Sequence, residues 1–448
     1  MKPSLIPMAI LLLASAAIQA QQEPGAAGAA GAAGAAGAAG AAGAAGAAGA
    51  AGANNQAAGG TLHYDLRYAQ TTRIGDNQAT QQESYASGDA SYAGVSMRLP
   101  FSAQYGGGYG WALAGASQPG DFFQHLLLSQ GIVQRAWSLT ASENVMYTFE
   151  TPTTGFSGVA GTGEPLGGTA SANPTDQTIL TENVRTLDNL TSASADVRLD
   201  YATRLNFGGT VGELLYVDSN GQNTDTYTAN GGITRRLDGR NSISGEYSFS
   251  RFTYGEGSAS TLGVLRINYS QANSLQASFK RHWTRRFSIA GSVGPQWISS
   301  SDSALLPSST RFAVSASAQE AFKQGSASLF YTHGVTGGAG YLTGAENDTL
   351  SGNYSRAIGR NLNVGVTGSF LRTASLTASG AIHSEYGGVQ ASRGLGRFFS
   401  VFANYTVMNQ SSSLLTSNLL NEPNILNTLT QVFGFGIGYT PRELRIKK

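Results

Sequence analysis

The chain has 448 residues, no cysteine, and 28 Lys and Arg against 27 Asp and Glu. The missing cysteine excludes a disulfide scaffold and a thiolate metal site, and the near-neutral charge leaves no electrostatic footprint for nucleic acid. Mean hydropathy is slightly polar, at -0.14, which excludes a helical membrane protein.

Lys2 precedes an apolar run from Leu5 to Ile18, followed by small residues. This pattern predicts a secretory signal peptide over residues 1–20, cut after Ala20 or alternatively after Ala16. The run is shorter than the roughly 20 apolar residues that a bilayer-spanning helix needs. Removing Lys2 with the signal leaves equal numbers of basic and acidic residues.

Residues 21–59 form a low-complexity arm. From Gly25 to Gly52 the sequence repeats Gly-Ala-Ala. Glycine at every third position is the collagen register, but the run contains no proline. Alanine favours helix and glycine opposes it, so neither conformer is firmly held. The expectation is a flexible periplasmic spacer, with a short collagen-like trimerisation arm as the alternative.

From about Gly60 the pattern is strands throughout. In 133–149, Val133, Trp137, Leu139, Ala141, Val145 and Tyr147 share one face, while Ser138, Thr140, Ser142 and Asn144 share the other. Side chains with period two mean a strand between an apolar and a polar medium. Glu143 interrupts the apolar face and is expected at a membrane interface. The same alternation recurs in 192–201, 241–252, 361–372 and 397–408, where Phe398 and Phe402 interrupt the polar face. The stretch 262–283 keeps one parity from Leu265 to Trp283 and is taken as a single long strand. Such segments number about 18. Their connections alternate between short turns, such as "ATRL", "RRLDGRN" and "HWTRRF", and long loops, such as "QTTRIGDNQATQQESYAS" and the segment 150–191. Short turns at one end and long loops at the other predict an all-β fold, a transmembrane antiparallel up-and-down β-barrel over 60–440.

The last strand, 428–440, alternates Phe433, Phe435, Ile437 and Tyr439 with Gly434, Gly436 and Gly438. Its bulky face is expected to meet lipid and its glycine face the interior. Pro441 cannot donate to a ladder, so the strand should stop there and leave 441–448 as a tail.

Lipid-facing positions are assigned to Trp137, Leu139, Tyr247, Phe399, Phe433, Phe435, Ile437 and Tyr439. Pore-lining positions are assigned to His63, Asp65, Arg67, Asp196, Arg198, Asp200, Glu246, Arg266, Lys280 and His282. Charged rings in a wet lumen set solute preference, although signs this mixed also brace a barrel by pairing and argue against strong ion selectivity. The five histidines, His63, His125, His282, His333 and His383, show no ligand spacing. "DSNGQNTD" (Asp218 to Asp225) resembles part of a calcium loop but lacks its closing Glu and fits turn chemistry. No metal and no cofactor is expected. The Gly- and Pro-rich segment 150–191 either folds inward as a constriction or stays outside.

The signal peptide, the alternation, the loop asymmetry and the aromatic last strand resemble bacterial outer-membrane β-barrel proteins of porin type. "TPTTGFSGVAGTGEPLG", "YSFSRFTY" and "GPQWISSSDSALLPSS" are similar to an uncharacterised barrel family associated in part with the PEP-CTERM and exopolysaccharide export system. The resemblance implies residence in the cell outer membrane and recognition by the barrel-assembly machinery through the last strand. Here Tyr439 is followed by nine further residues, a departure from the usual terminal aromatic. Expected partners are outer-membrane lipid, the assembly machinery and a glycan or small solute, with a homotrimer as one assembly option and no nucleic acid. The leading function is a channel for small hydrophilic solutes or glycan. The alternative is a plugged structural or surface-binding barrel. A membrane-embedded Ser/His hydrolase would require both groups in contact on the outer face, and the protein is not expected to be an enzyme.

Overall fold

The computed structural model describes residues 59–75, 80–94, 96, 98–114, 121–148, 185–217, 223–255, 267–337, 342, 344–359, 361–377, 379–413, 428–442 and 444–447. The signal segment, the Gly-Ala-Ala arm, Arg266 and most of the segment 150–191 lie outside these residues.

Eighteen antiparallel strands form the wall: β1 (Gly59–Gly75), β2 (Gln81–Gly94), β3 (Phe101–Ala114), β4 (Asp121–Val133), β5 (Trp137–Thr148), β6 (Thr186–Arg198), β7 (Thr203–Tyr216), β8 (Thr224–Arg236), β9 (Asn241–Tyr254), β10 (Tyr269–His282), β11 (Phe287–Ser300), β12 (Ser309–Phe322), β13 (Gly325–Thr336), β14 (Ala345–Ile358), β15 (Leu362–Ser375), β16 (Ala381–Leu395), β17 (Phe399–Ser412) and β18 (Thr428–Tyr439). Each pairs with its sequence neighbours, and β18 returns to β1 through the register Leu66↔Tyr439 to Gly75↔Thr430. Closure leaves no strand edge facing hydrocarbon, which is the condition for crossing a bilayer with strands.

The outer surface is apolar. Phe435, Ile437, Phe399 and Tyr247 are among its exposed large residues. On β12, Phe312 and Phe322 are both exposed and ten residues apart. At roughly 3.3 Å per residue and a tilt near 40°, they bracket a band about 25 Å tall. Glu143 lies six residues above Trp137 on the same outward parity of β5. Its carboxylate accepts a hydrogen bond from the Thr191 hydroxyl at 2.5 Å, which keeps the polar group partnered.

The short connections are built from polar side chains that cap their own backbone. Asp200 accepts bonds from the N–H groups of Ala202 (2.6 Å) and Thr203 (2.8 Å), and Asp238 does the same for Arg240 (2.6 Å) and Asn241 (2.8 Å). Gly359 and Gly396 supply positive φ in two further turns, a conformation costly for other residues.

Three expectations need correction. First, 70–87 is mostly strand: β1 runs to Gly75 and β2 starts at Gln81. Apolar residues are sparse there, with Ile74 exposed on one face and Tyr85 buried on the other, so the alternation that marks a membrane strand fades although the ladder continues. Second, the long strand expected over 262–283 begins at Tyr269. Ile267, 2% exposed, packs in a core cluster with Phe252 and Ile298. Third, β18 stops before Pro441 as expected, but the tail carries a short strand of its own. Residues Leu444–Lys447 form β19, which continues the ladder on β1 from Leu62↔Leu444 to Gly59↔Lys447. Between the registers Leu66↔Tyr439 and Leu62↔Leu444 this end of the chain has one residue more than β1, and Pro441, which cannot donate to a ladder, falls in that interval.

Candidate functional site

The interior of the barrel is the candidate site, and strand parity decides what reaches it. On β1 the odd residues His63, Asp65 and Arg67 point inward, because Leu66 and Tyr68 are exposed outside. Arg67 Nε lies 2.5 Å from Asp65 and its Nη2 3.7 Å from Asp89 on β2. Asp65 and Asp89 stand directly opposite in register, so one guanidinium sits between two carboxylates.

The second group of charges is on β6 to β10. Asp196 projects inward opposite Ser138, with Arg204 beside it. Arg198 stands opposite Arg204 at the foot of β6. Glu246 accepts a hydrogen bond from Asn230 Nδ2 at 3.2 Å. Lys280 and His282 share the inward parity of β10, where Leu275 and Phe279 face out. β10 lies nine strands from β1 in the 18-strand ring, so Lys280 and His282 stand across the lumen from the β1 charges, while those of β6 to β9 lie between. Asp200 is not on this wall: it caps the β6–β7 turn, and the backbone N–H of Ala202, then that of Thr203, hold its carboxyl below the usual range.

The remaining wall is different. Among the described residues, inward positions of β11 to β18 are Ser, Thr, Asn, Gln, Gly and a few apolar residues, and the charges of these strands face outward or sit in turns. The exception is Arg311, at the outer end of β12. Hydroxyls and amides pair across strands, as in Ser292 with Ser315 (2.8 Å), Ser328 with Asn353 (2.8 Å) and Ser384 with Gln410 (3.1 Å).

Apolar groups also occupy the interior. Phe402, 4% exposed, lies against Gly436, where a Cβ would overlap its ring and the carbonyl of Tyr68. It packs with Ala69, Tyr85 and Phe123, which places an aromatic cluster inside the β18–β1 seam. On the glycine face of the last strand, Gly436 leaves the space this ring fills.

At the outer mouth β13 parts from β12 while β14 stays on β15 as far as Ala345↔Ser375, so the β13 side of the β13–β14 hairpin turns inward. Its pairing with β12 ends at Val314↔His333, while its own ladder continues to Thr336↔Ala345. The Val335 N–H donates to Gln296 Oε1 on β11 at 3.1 Å, and Gly337 reaches Phe252 on β9 and Thr224 on β8. Val335, Phe252, Tyr254, Ile267, Ile298 and Leu306 form a buried apolar cluster there. At the bend, His333 lies between Asp348 (Nδ1, 2.7 Å) and Glu346 (Nε2, 3.2 Å). Arg372 binds Asp348 and Arg311 binds Glu346, each at 3.0 Å. This hairpin was not anticipated from the sequence, where only 150–191 was weighed as a constriction.

His63, His125 and His282 project into the lumen; His125 is bonded to Asn144 at 2.9 Å. His333 and His383 lie on outward parities. Among the described residues no group of three or more His, Asp or Glu could hold a metal ion. Most of the calcium-like loop, residues 218–222, lies outside them.

No protein-family model and no curated protein matches the sequence. Among solved structures the chain is similar to Pseudomonas aeruginosa OccK5 (OpdH), with 8% identity, TM-score 0.43 and coverage of 87% of this chain and 98% of that one. It is also similar to P. aeruginosa OpdL, with 12% identity, TM-score 0.42 and coverage of 87% and 99%. Acinetobacter baumannii OccAB3 matches at 9% identity and TM-score 0.43, with 86% and 99% covered.

Proposed function

We propose that the protein is an outer-membrane channel for small hydrophilic solutes, a glycan among them, with no catalytic role. The observation that carries this is the contrast between the two faces of one wall: an apolar band outside, and inside a lining of hydroxyls and amides with charges of both signs. Such a lining replaces part of a solute's hydration shell without binding it tightly, the condition for passage. Outer-membrane lipid is the partner outside and the solute the partner inside. Recognition by the barrel-assembly machinery rests on the aromatic last strand, and light scattering of the purified barrel decides between monomer and trimer.

A second reading, a plugged barrel, is favoured by the inward hairpin and the apolar cluster at the mouth. Single-channel recording of the refolded protein in planar bilayers, with and without residues 21–59, separates the two. The channel reading expects discrete conductance steps. Steps only in the shortened form would make the arm a plug. Silence from both forms, with folding verified by heat-modifiable gel mobility, would replace the channel with the plugged barrel.

A further inference from the structure

Most lumen-facing rings are covered. Tyr85, Phe123, Tyr386 and Phe402 are all at most 9% exposed. Among the Phe, Tyr and Trp residues on the inward parity within the described strands, Phe330 is the exception. It lies on β13 between Leu329 and Tyr331, whose cross-strand partners Gly352 and Leu350 share the outward parity, and Leu329 is 52% exposed outside. Phe330 therefore points inward, five residues above the foot of its strand, and its ring remains partly exposed.

Its neighbours are chosen from one chemical class. Ser317 on β12 and Ser351 on β14 stand directly opposite it on either side. Ser328 and Thr332 precede and follow it on the same inward parity of β13, and Ser328 is bonded to Asn353. Among the described residues of β12 to β14, Arg311 is the one charged side chain on the inward parity, at the outer rim and held by Glu346; Lys280, in the same register row through Ser317 and Ala290, is three strands away on β10. An apolar ring face bordered by hydroxyls and amides complements a pyranose, which has an apolar C–H face and a hydroxyl rim. A carboxylate would find no cation to meet it here, and a hydroxylated neutral ring would find both kinds of contact.

We propose that Phe330, with the hydroxyl wall of β12 to β14, is a subsite for a neutral sugar ring inside the barrel. The proposal rests on the channel reading for its biological meaning but not for its test. In planar bilayers, a neutral glucan oligosaccharide is added and the dwell time of current block is measured, with gluconate as the anionic comparison. Wild type should be blocked by the oligosaccharide and not by gluconate. Phe330→Ala should shorten the dwell roughly three- to ten-fold, the range expected for one aromatic contact, and Phe330→Tyr should preserve it. In detergent, Phe330→Trp carries an added indole at the subsite, whose emission, read against wild type, should change on adding the oligosaccharide. An unchanged dwell in Phe330→Ala, or block by gluconate alone, overturns the subsite while leaving the channel intact. Silence in bilayers with a fluorescence response in Phe330→Trp upholds the subsite and overturns the channel. Absence of both signals in folded protein overturns both.

Discussion

Gly436 shows how one missing side chain can organise a barrel seam. Its inward face receives the ring of Phe402, and the backbone carbonyl of Tyr68 lies equally close. A methyl group there has no flexible neighbour to displace on the carbonyl side. Gly436→Ala should destabilise the folded barrel by about 1–3 kcal/mol, the usual range for overpacking, read as a lower midpoint in urea unfolding from lipid vesicles. The double variant Gly436→Ala with Phe402→Ala still meets the carbonyl, so it should recover only part of the loss. Full recovery would mean that the ring alone sets the constraint.

Among the elements, the β13–β14 hairpin departs furthest from regular barrel geometry. Two arginines and a histidine are matched by Glu346 and Asp348 where the hairpin bends inward. Glu346→Gln removes the anion shared by His333 and Arg311. Amide exchange over 334–345 should then accelerate about ten-fold, a change of about 1.4 kcal/mol in local opening, while exchange in mid-wall β11 stays as it was. Equal acceleration in both would show global rather than local loosening. This hairpin also marks where sequence reasoning stops. Eighteen wall strands and the inward parity of Asp65, Arg67, Asp196, Glu246 and Lys280 were legible, because a strand between lipid and water must alternate. Above the apolar band that pressure disappears. There the ends of β1 and β2, the inward turn of Ile267 and the bend after His333 are decided by contacts between distant strands, which no local pattern records. Phe402 did stand out as a breach of the polar face, and its partner Gly436 was visible too. What was missing was the register, Phe402↔Gly436, that brings them together.

Across the whole molecule the charges are segregated. Among the described residues the inward acids and bases gather on β1, β2 and β6 to β10, and the opposite wall carries Arg311 at its outer rim. A lumen arranged this way has little net field to favour either sign, since the fields of neighbouring opposite charges largely cancel and salt screens what remains beyond the Debye length of about 8 Å. In a KCl gradient the reversal potential of the open channel should therefore lie near zero, and Asp65→Asn, which leaves Arg67 with a single carboxylate neighbour, should move it toward anion preference. A strong cation preference in wild type would contradict the balance. The closing ladder between β1 and β18 has a consequence in time. Leu66 finds its partner only when Tyr439 arrives, so the first strand waits for nearly the entire barrel to be made. Until then both end strands carry open hydrogen-bonding edges, a template for pairing with other chains. Contacts between such distant residues are slow to form. No segment of the wall is a finished half, and a chain cut short before Phe433 has nothing with which to complete the ring.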